Sequence, residues 1–365
     1  MICSQASSSP EYAERKRNGY RMKFKNKILA VLILFFISMG CNLKKEVLLS
    51  GRTMGTTYNI KVVTWFYKDT AELKDKIEKG LKEVNNSMSV FIDDSEISRF
   101  NRFNSRENFF ISDDFLRVMT VARKIYGLSG GAWDGTVSPL VDLWGFGKAG
   151  NENRVPQKKE IEARLANVGF DKIEISENGY LAKKNPIVGI DLGSIAKGYG
   201  VDRTAEVIRN NGISNFLVEI GGEVYASGYK ITGGYWLVGI NTPDKDSLNG
   251  DIYKTIRLKN KALATSGDYR NFFEKNGKAY SHIIDPKTGY PVNNGIVSVS
   301  VVADDCTFAD GLATAIMVTG LEKGLEIVNK LTGVECLVVI KNKDGTLTDY
   351  FSKGFRNDEK IPFER

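Results

Sequence analysis

The order of helical and strand-like segments is the feature that most constrains the fold of this 365-residue chain. Residues 56–64 alternate as a strand does, and residues 71–86 and 114–128 carry apolar side chains at helical spacing. The last third is rich in strand-like runs, which helices at 307–318 and 321–330 interrupt. Because strands and helices do not alternate in regular βαβ units, the pattern favours an α+β fold over a doubly wound α/β fold.

Shorter signals complete the pattern. Glu177-Asn-Gly179 predicts a hairpin turn, and further helices are expected at residues 158–166 and 194–210. The remaining strands are expected at residues 173–176, 181–183, 187–190, 216–220, 224–227, 235–241, 253–258, 262–266, 279–284, 295–303, 336–341 and 347–350.

The net charge of +7 is concentrated at the start of the chain. Residues 1–40 contain seven Lys or Arg and two Glu, so the remainder carries a net charge of only +2. A nearly neutral body without basic blocks lacks the electrostatic footprint of a nucleic-acid-binding protein. We therefore expect no nucleic-acid partner.

The basic start has the organisation of an export signal. Residues 22–27 are positively charged, and the apolar run 28–37 is too short to span a bilayer comfortably. It leads into Ser-Met-Gly-Cys at 38–41, which is similar to the bacterial lipobox, although Leu is usual where Ser38 stands. We expect an exported protein held by a lipid on Cys41 at the periplasmic face of the inner membrane; an uncleaved anchor helix is the alternative.

The domain organisation follows from this signal. We expect a targeting segment at 1–40, with Met22 as an alternative start, then a lipid-anchored tether at 41–50 and a single domain at 51–365. The Gly- and Asn-rich stretch 145–156 is interpreted as a surface loop rather than a domain boundary.

The four cysteines argue against a zinc site. Cys3 and Cys41 fall in the targeting region, and neither a Cys-x-x-Cys motif nor a Cys/His cluster exists. Cys306 and Cys336 could form a disulfide in an oxidising compartment or remain buried free thiols.

The only histidine, His282, lies in the motif Tyr-Ser-His-Ile-Ile-Asp-Pro-Lys-Thr-Gly at 280–289. Only histidine titrates near pH 7 without environmental help, so the chain offers one ready proton acceptor. The alternative is a structural histidine. Polar motifs around Asp191 and Asp310 support a functional site.

The motif at 189–200 predicts a strand that ends in Asp191 and opens a helix. Gly193 and the first amides of the helix would suit a phosphate or another anion. The spacing matches neither a dinucleotide-binding fingerprint nor a Walker loop, so a helix cap on a turn remains the alternative.

Asp310 and Thr314 are four residues apart, so a helix places both on one face. Carboxylate and hydroxyl oxygens suit half of a Mg²⁺ site. Alternatively, Asp305 simply caps this helix and Thr314 bonds back to its own helix.

Ser266, in Ala-Thr-Ser-Gly-Asp-Tyr, is a candidate nucleophile for pairing with His282. No Gly-x-Ser-x-Gly elbow accompanies it, which disfavours a serine hydrolase.

Taken in order, these motifs and three nearer the N-terminus resemble the ApbE family, the FAD:protein FMN transferases. The resemblance extends over residues 47–351, and Phe91 departs from it, since members often carry Tyr there. The motifs are found at residues 53–58, 88–101, 130–137, 189–199, 264–269, 282–289 and 309–314.

The resemblance implies an α+β fold of the ApbE type, related to T-folds, with two lobes and a flavin site in the cleft between them. It implies a catalytic domain that transfers FMN from FAD to a threonine of an acceptor protein and releases AMP. Acceptors would include subunits of membrane redox complexes. His282 would take the proton of the threonine, and Mg²⁺ would be bound by Asp310, Thr314 and the Ser194 carbonyl. The FAD site would be lined by Met54, Phe91, Ala132, Trp133, Asp134, Asp191, Lys197 and Ile284.

Two alternative functions remain open at the level of sequence. One is a FAD pyrophosphatase, in which water replaces the acceptor protein. The other is a lipoprotein that binds flavin without catalysing its transfer.

Overall fold

The structure is a computed structural model that describes residues 44–147, 153–243, 251–268 and 271–355, with the backbone of 363–364. The predicted signal and Cys41 therefore lie outside the described residues. Two compact units are distinguished: Met1–Lys45 with Thr64–Lys68, and Glu46–Val63 with Asp69–Arg365. Among the described residues, no helix combines the length and the apolar composition that crossing a bilayer requires.

The helices are α1 (Ala71–Met88), α2 (Glu96–Arg102), α3 (Asp113–Leu128), α4 (Ser138–Leu143), α5 (Lys158–Leu165), α6 (Ala196–Asn210), α7 (Cys306–Thr319) and α8 (Leu321–Asn329). The strands are β1 (Lys44–Thr53), β2 (Thr56–Trp65), β3 (Phe109–Phe110), β4 (Ile173–Ser176), β5 (Tyr180–Lys183), β6 (Asn215–Ile220), β7 (Glu223–Ser227), β8 (Trp236–Asn241), β9 (Ile252–Leu258), β10 (Lys261–Gly267), β11 (Phe272–Lys275), β12 (Lys278–Ser281), β13 (Ile296–Ala303), β14 (Glu335–Lys341), β15 (Leu347–Phe351) and β16 (Phe363–Glu364).

An eight-stranded sheet with the order β1-β2-β6-β7-β10-β13-β14-β15 forms the centre of the fold. Its ladders from β2 to β15 are antiparallel, which confirms the α+β prediction. Smaller sheets are formed by β16-β9-β8, by β3-β5-β4 and by β11-β12.

The large sheet is buried on both faces, which explains the nearly continuous apolar runs of its central strands. Ala262 and Ala264 of β10 pack into the main core with the helices, whereas Leu263 between them packs into a second core with β8 and β9. Side chains alternate along a strand, so both neighbours and the residue between them must be apolar.

Helices α6 and α7 cross at very short distance. A Cβ atom built on Gly198 would lie 2.3 Å from the Cys306 carbonyl oxygen and 2.9 Å from Cβ of Asp310, so only glycine fits there. Asp202 of α6 adds a second link, because its carboxylate accepts hydrogen bonds from the Cys306 and Thr307 amides at the start of α7. The crossing fixes the two helices that carry Lys197 and Asp310.

The loop after β12 is held by a separate small core. Ile284 packs there with Trp144, whose Nε1 donates to the Gly289 carbonyl at 2.9 Å. Gly289 has φ of 76°, and a Cβ on it would lie 2.5 Å from Ile161. The loop that contains His282 is therefore anchored at its far end.

The predicted strand 187–190 is wrong. Instead of pairing with a strand, Ile190 pairs with the side chain of Asn101, which donates to its carbonyl at 2.8 Å and accepts from its amide at 2.7 Å. The amide of Asp191 donates to the Gly135 carbonyl at 2.7 Å. One amide side chain thus replaces a neighbouring strand.

Two other boundaries differ from expectation. The strand predicted at 279–284 ends at Ser281. Residues 44–50 were expected to form a tether but belong to β1. Burial alternates along this strand, and Leu49 packs into the main core. Cys306 and Cys336 are both buried free thiols, which excludes a disulfide between them.

Candidate active site

A cavity of about 520 Å³ brings together most of the residues singled out from the sequence. The predicted residues that line it are Ala132, Trp133, Asp134, Asp191, Ser194, Lys197, His282, Ile284, Asp310 and Thr314. They come from four separate stretches of the chain, so the cavity is assembled by tertiary packing.

Met54 and Phe91 do not line this cavity. Met54 packs against the main core, and its sulfur lies 2.9 Å from the position that a Cβ on Gly200 would take. Phe91 follows α1 in a turn and is 74% exposed. The structure thus does not bring these two predicted flavin contacts together with the others.

His282 is held in one tautomer by Asn271. The Asn271 carbonyl accepts both the backbone amide of His282 at 3.1 Å and the ring Nδ1–H at 2.9 Å. Burial lowers the pKa of His282 below its ordinary value, so the ring is neutral at pH 7. Because a carbonyl only accepts, Nδ1 carries the proton and Nε2 keeps its lone pair as a base requires.

Ser266 does not pair with His282. Its hydroxyl lies 3.0 Å from the Thr314 hydroxyl across the cavity wall. Among the described residues no hydrogen bond joins Ser266 to His282, so the structure gives the disfavoured serine hydrolase alternative no support.

Asp310 and Thr314 lie one turn apart on α7, as their spacing predicts. Asp305 caps this helix by accepting from the Phe308 amide. The capping interpretation and the ligand interpretation are therefore compatible, since they concern different residues of the helix.

The backbone carbonyl of Ser194 lies just before the start of α6. Gly198 lies in the first turn of α6, where an amide has no acceptor within the helix, and it donates to Oδ2 of Asp310 at 3.0 Å. No hydrogen bond to the Ser194 carbonyl occurs within the described part of the chain. The carbonyl that the family resemblance assigns to the metal thus has spare accepting capacity.

Glu223, at the start of β7, is the site residue that sequence reasoning missed. Its Oε1 accepts from Lys197 Nζ at 2.6 Å, and its buried Oε2 has no hydrogen-bond partner. Burial and the nearby Asp310 raise the pKa of Glu223. The available signal was an acidic residue directly after Gly221-Gly222, between two apolar strands.

Lys197 neutralises only part of this charge. Burial lowers the pKa of Lys197, but the charges of Asp310 and Glu223 raise it by more than burial lowers it. The pKa is therefore raised overall, and the ammonium stays charged. Burial raises the pKa of Asp310 as it does that of Glu223, so the two carboxyl groups resist ionising together, and ionising both would leave the cluster with one net negative charge. A buried negative charge of this kind favours a bound cation.

Two of the amides near Asp191 donate to carboxylates of the protein. Oδ1 of Asp191 accepts from Gly193 N at 2.8 Å, and Asp310 takes the Gly198 amide. The Gly193 amide therefore belongs to a turn, and an anion site at the remaining amides stays a prediction. Burial raises the pKa of Asp191.

The Ala-Trp-Asp segment forms a rigid wall. Trp133 Nε1 donates to the Ser194 hydroxyl at 3.0 Å. Asp134 accepts from the Thr136 amide and hydroxyl through Oδ1 and from the Phe170 amide through Oδ2. Asp134 therefore holds this wall in shape and does not offer a free carboxylate to a ligand.

The donor set on α6 and α7 is composed of oxygen atoms from a carboxylate, a hydroxyl and a carbonyl. Mg²⁺ prefers such ligands and seldom needs an all-protein cage. Consistently, the described residues contain no group of three or more His, Cys, Asp or Glu that could hold a metal alone. A neutral imidazole facing the same cavity defines the class: an α+β enzyme with a site suited to group transfer from a phosphate-containing ligand.

Comparison with known proteins agrees with this class. The ApbE family model matches residues 54–338, and the chain belongs to the ApbE family. The FAD:protein FMN transferase of Vibrio cholerae is 43% identical over 330 residues, which cover 90% of this chain and 97% of the relative. The enzyme of the same name from Haemophilus influenzae is 39% identical over 328 residues, covering 88% of this chain and 94% of the relative.

Solved structures give the same result. The flavin transferase ApbE from Vibrio cholerae has a TM-score of 0.78 at 41% identity and covers 86% of this chain and 99% of its own. The apo form of Pseudomonas stutzeri flavinyl transferase ApbE has a TM-score of 0.78 at 33% identity. The match covers 86% of this chain and 96% of that structure's chain. The ApbE-type fold expected from the sequence is thereby confirmed.

Proposed function

We propose that the protein is a FAD:protein FMN transferase that binds FAD in the cavity and moves FMN to an acceptor protein. The names of its relatives support this activity. The observation that carries it is the arrangement of His282, which lines the same cavity as Asp310 and Thr314 and has its Nδ1–H bonded to Asn271, leaving Nε2 unprotonated. A base for the nucleophile and oxygen ligands for a cation are the two parts that transfer of a phosphoryl-type group requires.

The acceptor is inferred to be a threonine hydroxyl. His282 Nε2 accepts its proton while the threonine Oγ forms a bond to the FMN phosphorus. The bond between that phosphorus and the bridging oxygen of the diphosphate breaks, and AMP leaves with the oxygen. Asn271 holds the imidazole in the required tautomer throughout this step.

Asp310, Thr314 and the Ser194 carbonyl are proposed to hold Mg²⁺. Two carboxyl groups beside a single ammonium, and a Ser194 carbonyl that accepts no hydrogen bond from the described residues, both fit a cation. When bound, Mg²⁺ would neutralise charge on the diphosphate. Lys197, held by Glu223, supplies a further positive charge at the cavity wall.

The protein is proposed to act at the periplasmic face of the inner membrane, tethered through a lipid on Cys41. The short apolar run before Cys41 supports this location. Membrane redox-complex subunits that carry a flavinylation threonine are the proposed acceptors. Mass spectrometry of the mature N-terminus tests the tether: lipid on Cys41 is expected, and an intact segment 22–40 would contradict it.

The activity is tested by incubating the purified protein with FAD, Mg²⁺ and a candidate acceptor and weighing the acceptor. An acceptor heavier by one FMN, together with AMP, supports the transferase. Free FMN and AMP with an unmodified acceptor would support a pyrophosphatase instead. FAD that stays bound and intact in the presence of Mg²⁺ and acceptor would support a flavin-binding lipoprotein.

A further inference from the structure

Three consecutive aromatic side chains are exposed at the end of β2. Trp65, Phe66 and Tyr67 are 44%, 57% and 73% exposed, and the Lys68 amide closes the turn by donating to the Trp65 carbonyl at 3.0 Å. Single exposed apolar residues are ordinary, but a continuous run of large ones indicates a surface with a partner. We call residues 65–68 the aromatic turn.

The three rings support one another. The rings of Trp65 and Tyr67 are stacked with centroids 6.4 Å apart, and Phe66 meets Tyr67 edge to face at 5.9 Å. Lys44 on β1 places its Nζ 5.4 Å from the Trp65 ring centre. The turn therefore presents one ordered aromatic surface with a cation at its border.

This composition matches the interface of a lipid bilayer. Trp and Tyr concentrate at that interface because their rings are apolar and their N–H or O–H groups remain hydrated. Lys44, beside the Trp65 ring, would face anionic headgroups, with an attraction of about 1 kcal/mol near such a surface.

The length of the chain before β1 places a bilayer within reach. Cys41 precedes Lys44 by three residues, and three residues span at most about 11 Å. A lipid on Cys41 would therefore hold Lys44, and with it Trp65, close to the membrane surface. Interfacial elements bury their apolar face by about 5–10 Å, which is comparable with this reach.

We propose that the aromatic turn inserts into the headgroup region of the anionic phospholipid bilayer to which the protein is tethered. The proposal rests on the membrane tether described under the proposed function, but not on the transferase chemistry. A tether at one point leaves the attached protein free to rotate about it. A second contact at the aromatic turn restricts that rotation.

Trp65 provides a selective reporter for this contact. The chain has four tryptophans, and Trp133, Trp144 and Trp236 are only 1%, 0% and 3% exposed. The full chain, isolated from bacterial membranes in detergent, is reconstituted into phosphatidylglycerol vesicles with and without brominated acyl chains. Bromine should quench Trp65 emission, membranes should protect it from aqueous iodide, and the Trp65→Phe variant should lose both effects.

A paired substitution tests the surface itself. Phe66→Ser with Tyr67→Ser should restore iodide quenching of Trp65 in vesicles, whereas Phe110→Ser, at a position 75% exposed elsewhere, should not. Trp65 that is equally accessible to iodide with and without membranes would overturn the proposal, as would recovery of the protein only in the soluble fraction. Iodide protection that also persists without lipid would assign the turn to a second copy of the chain or another protein instead. FMN transfer measured in detergent reports separately on the proposed function.

Discussion

At the scale of single residues, the cavity contains polar groups that are fully hydrogen-bonded and groups with spare capacity. Asp134 uses both carboxylate oxygens within the protein, so it holds the wall in shape. Glu223 Oε2 and the Ser194 carbonyl accept no hydrogen bond from the described residues. These differences in hydrogen bonding, rather than proximity to the cavity alone, separate structural residues from candidates for binding and catalysis.

Asp310→Ala should reduce FMN transfer by at least about 10²-fold, the loss typical when charge stabilisation in the transition state is removed. FAD binding should persist, because the carboxylate is proposed to act on the cation. Asp310→Asn keeps an oxygen for the Gly198 amide and separates loss of charge from loss of this contact. Asp305→Ala on the same helix is the control, since it removes only a cap. Full Asp310→Ala activity at chelator-buffered low Mg²⁺ would rule out the metal site.

Glu223→Gln should lower kcat/KM for FAD by about 10- to 100-fold, because a charge-assisted hydrogen bond contributes about 1.5–3 kcal/mol. Glutamine can still accept from Lys197 but removes the negative charge that fixes the ammonium. Steady-state kinetics and thermal melting distinguish this effect from unfolding: Tm should change little. Glu107→Gln, at an exposed position, is the matched control. Unchanged kinetics for Glu223→Gln would mean that Glu223 has no part in positioning Lys197.

At the scale of elements, the close crossing of α6 and α7 brings Lys197, Gly198 and Asp310 into one cluster. The crossing depends on Gly198 for the short distance and on Asp202 for the hydrogen bonds to the start of α7. Neither residue needs to touch a ligand. Their substitutions should therefore report how strongly the site depends on the geometry of two helices.

Gly198→Ala should destabilise the protein by about 1–3 kcal/mol, as overpacking typically does, although alanine is the better helix former. The added methyl group would collide with the Cys306 carbonyl. Gly80→Ala in α1 is the control, because its Cβ would meet only Val207 at an ordinary 3.8 Å. Chemical denaturation measures both variants. Equal stability of the two would show that α6 and α7 are not packed this closely.

Asp202 predicts a pH-dependent contribution to stability. Burial raises its pKa to about 6. The folded state binds the proton of Asp202 more tightly than the unfolded state does, whose pKa is near 4. The resulting stabilisation is fully present below about pH 4 and is lost as the pH rises through about 6. The stability deficit of Asp202→Asn relative to wild type should therefore shrink between about pH 4 and pH 7. Denaturation midpoints across this range measure it, and a growing deficit would contradict the pKa assignment.

At the scale of the whole molecule, the sequence predicted most elements but not how they assemble. Helices α1 and α3 begin and end within two residues of their predicted bounds, because their apolar spacing is regular. Strand 187–190 was wrong because Asn101, some ninety residues earlier, supplies its hydrogen bonds. Short α2 and α4 were missed, since seven and six residues carry too little periodicity.

In the site, too, local motifs predicted some residues, whereas others depend on how the chain assembles. His282, Asp310 and Thr314 could be found from local motifs, because histidine is unique in the chain and the other two share a helical face. Glu223 could not, since its role arises only when β7 meets α6. The order of strands in the large sheet likewise depends on long-range pairing, which local patterns do not encode.

The most direct test of the account measures flavinylation of an acceptor protein by wild type and His282→Ala across pH, with FAD binding measured in parallel. Loss of the base should slow transfer by about 10²- to 10⁴-fold while FAD affinity is retained. Because burial lowers the pKa of His282, wild-type transfer should fall with decreasing pH as the imidazole becomes protonated, with its midpoint below the ordinary histidine pKa of 6.5. A variant that transfers FMN at nearly the wild-type rate with an unchanged pH profile would contradict the account.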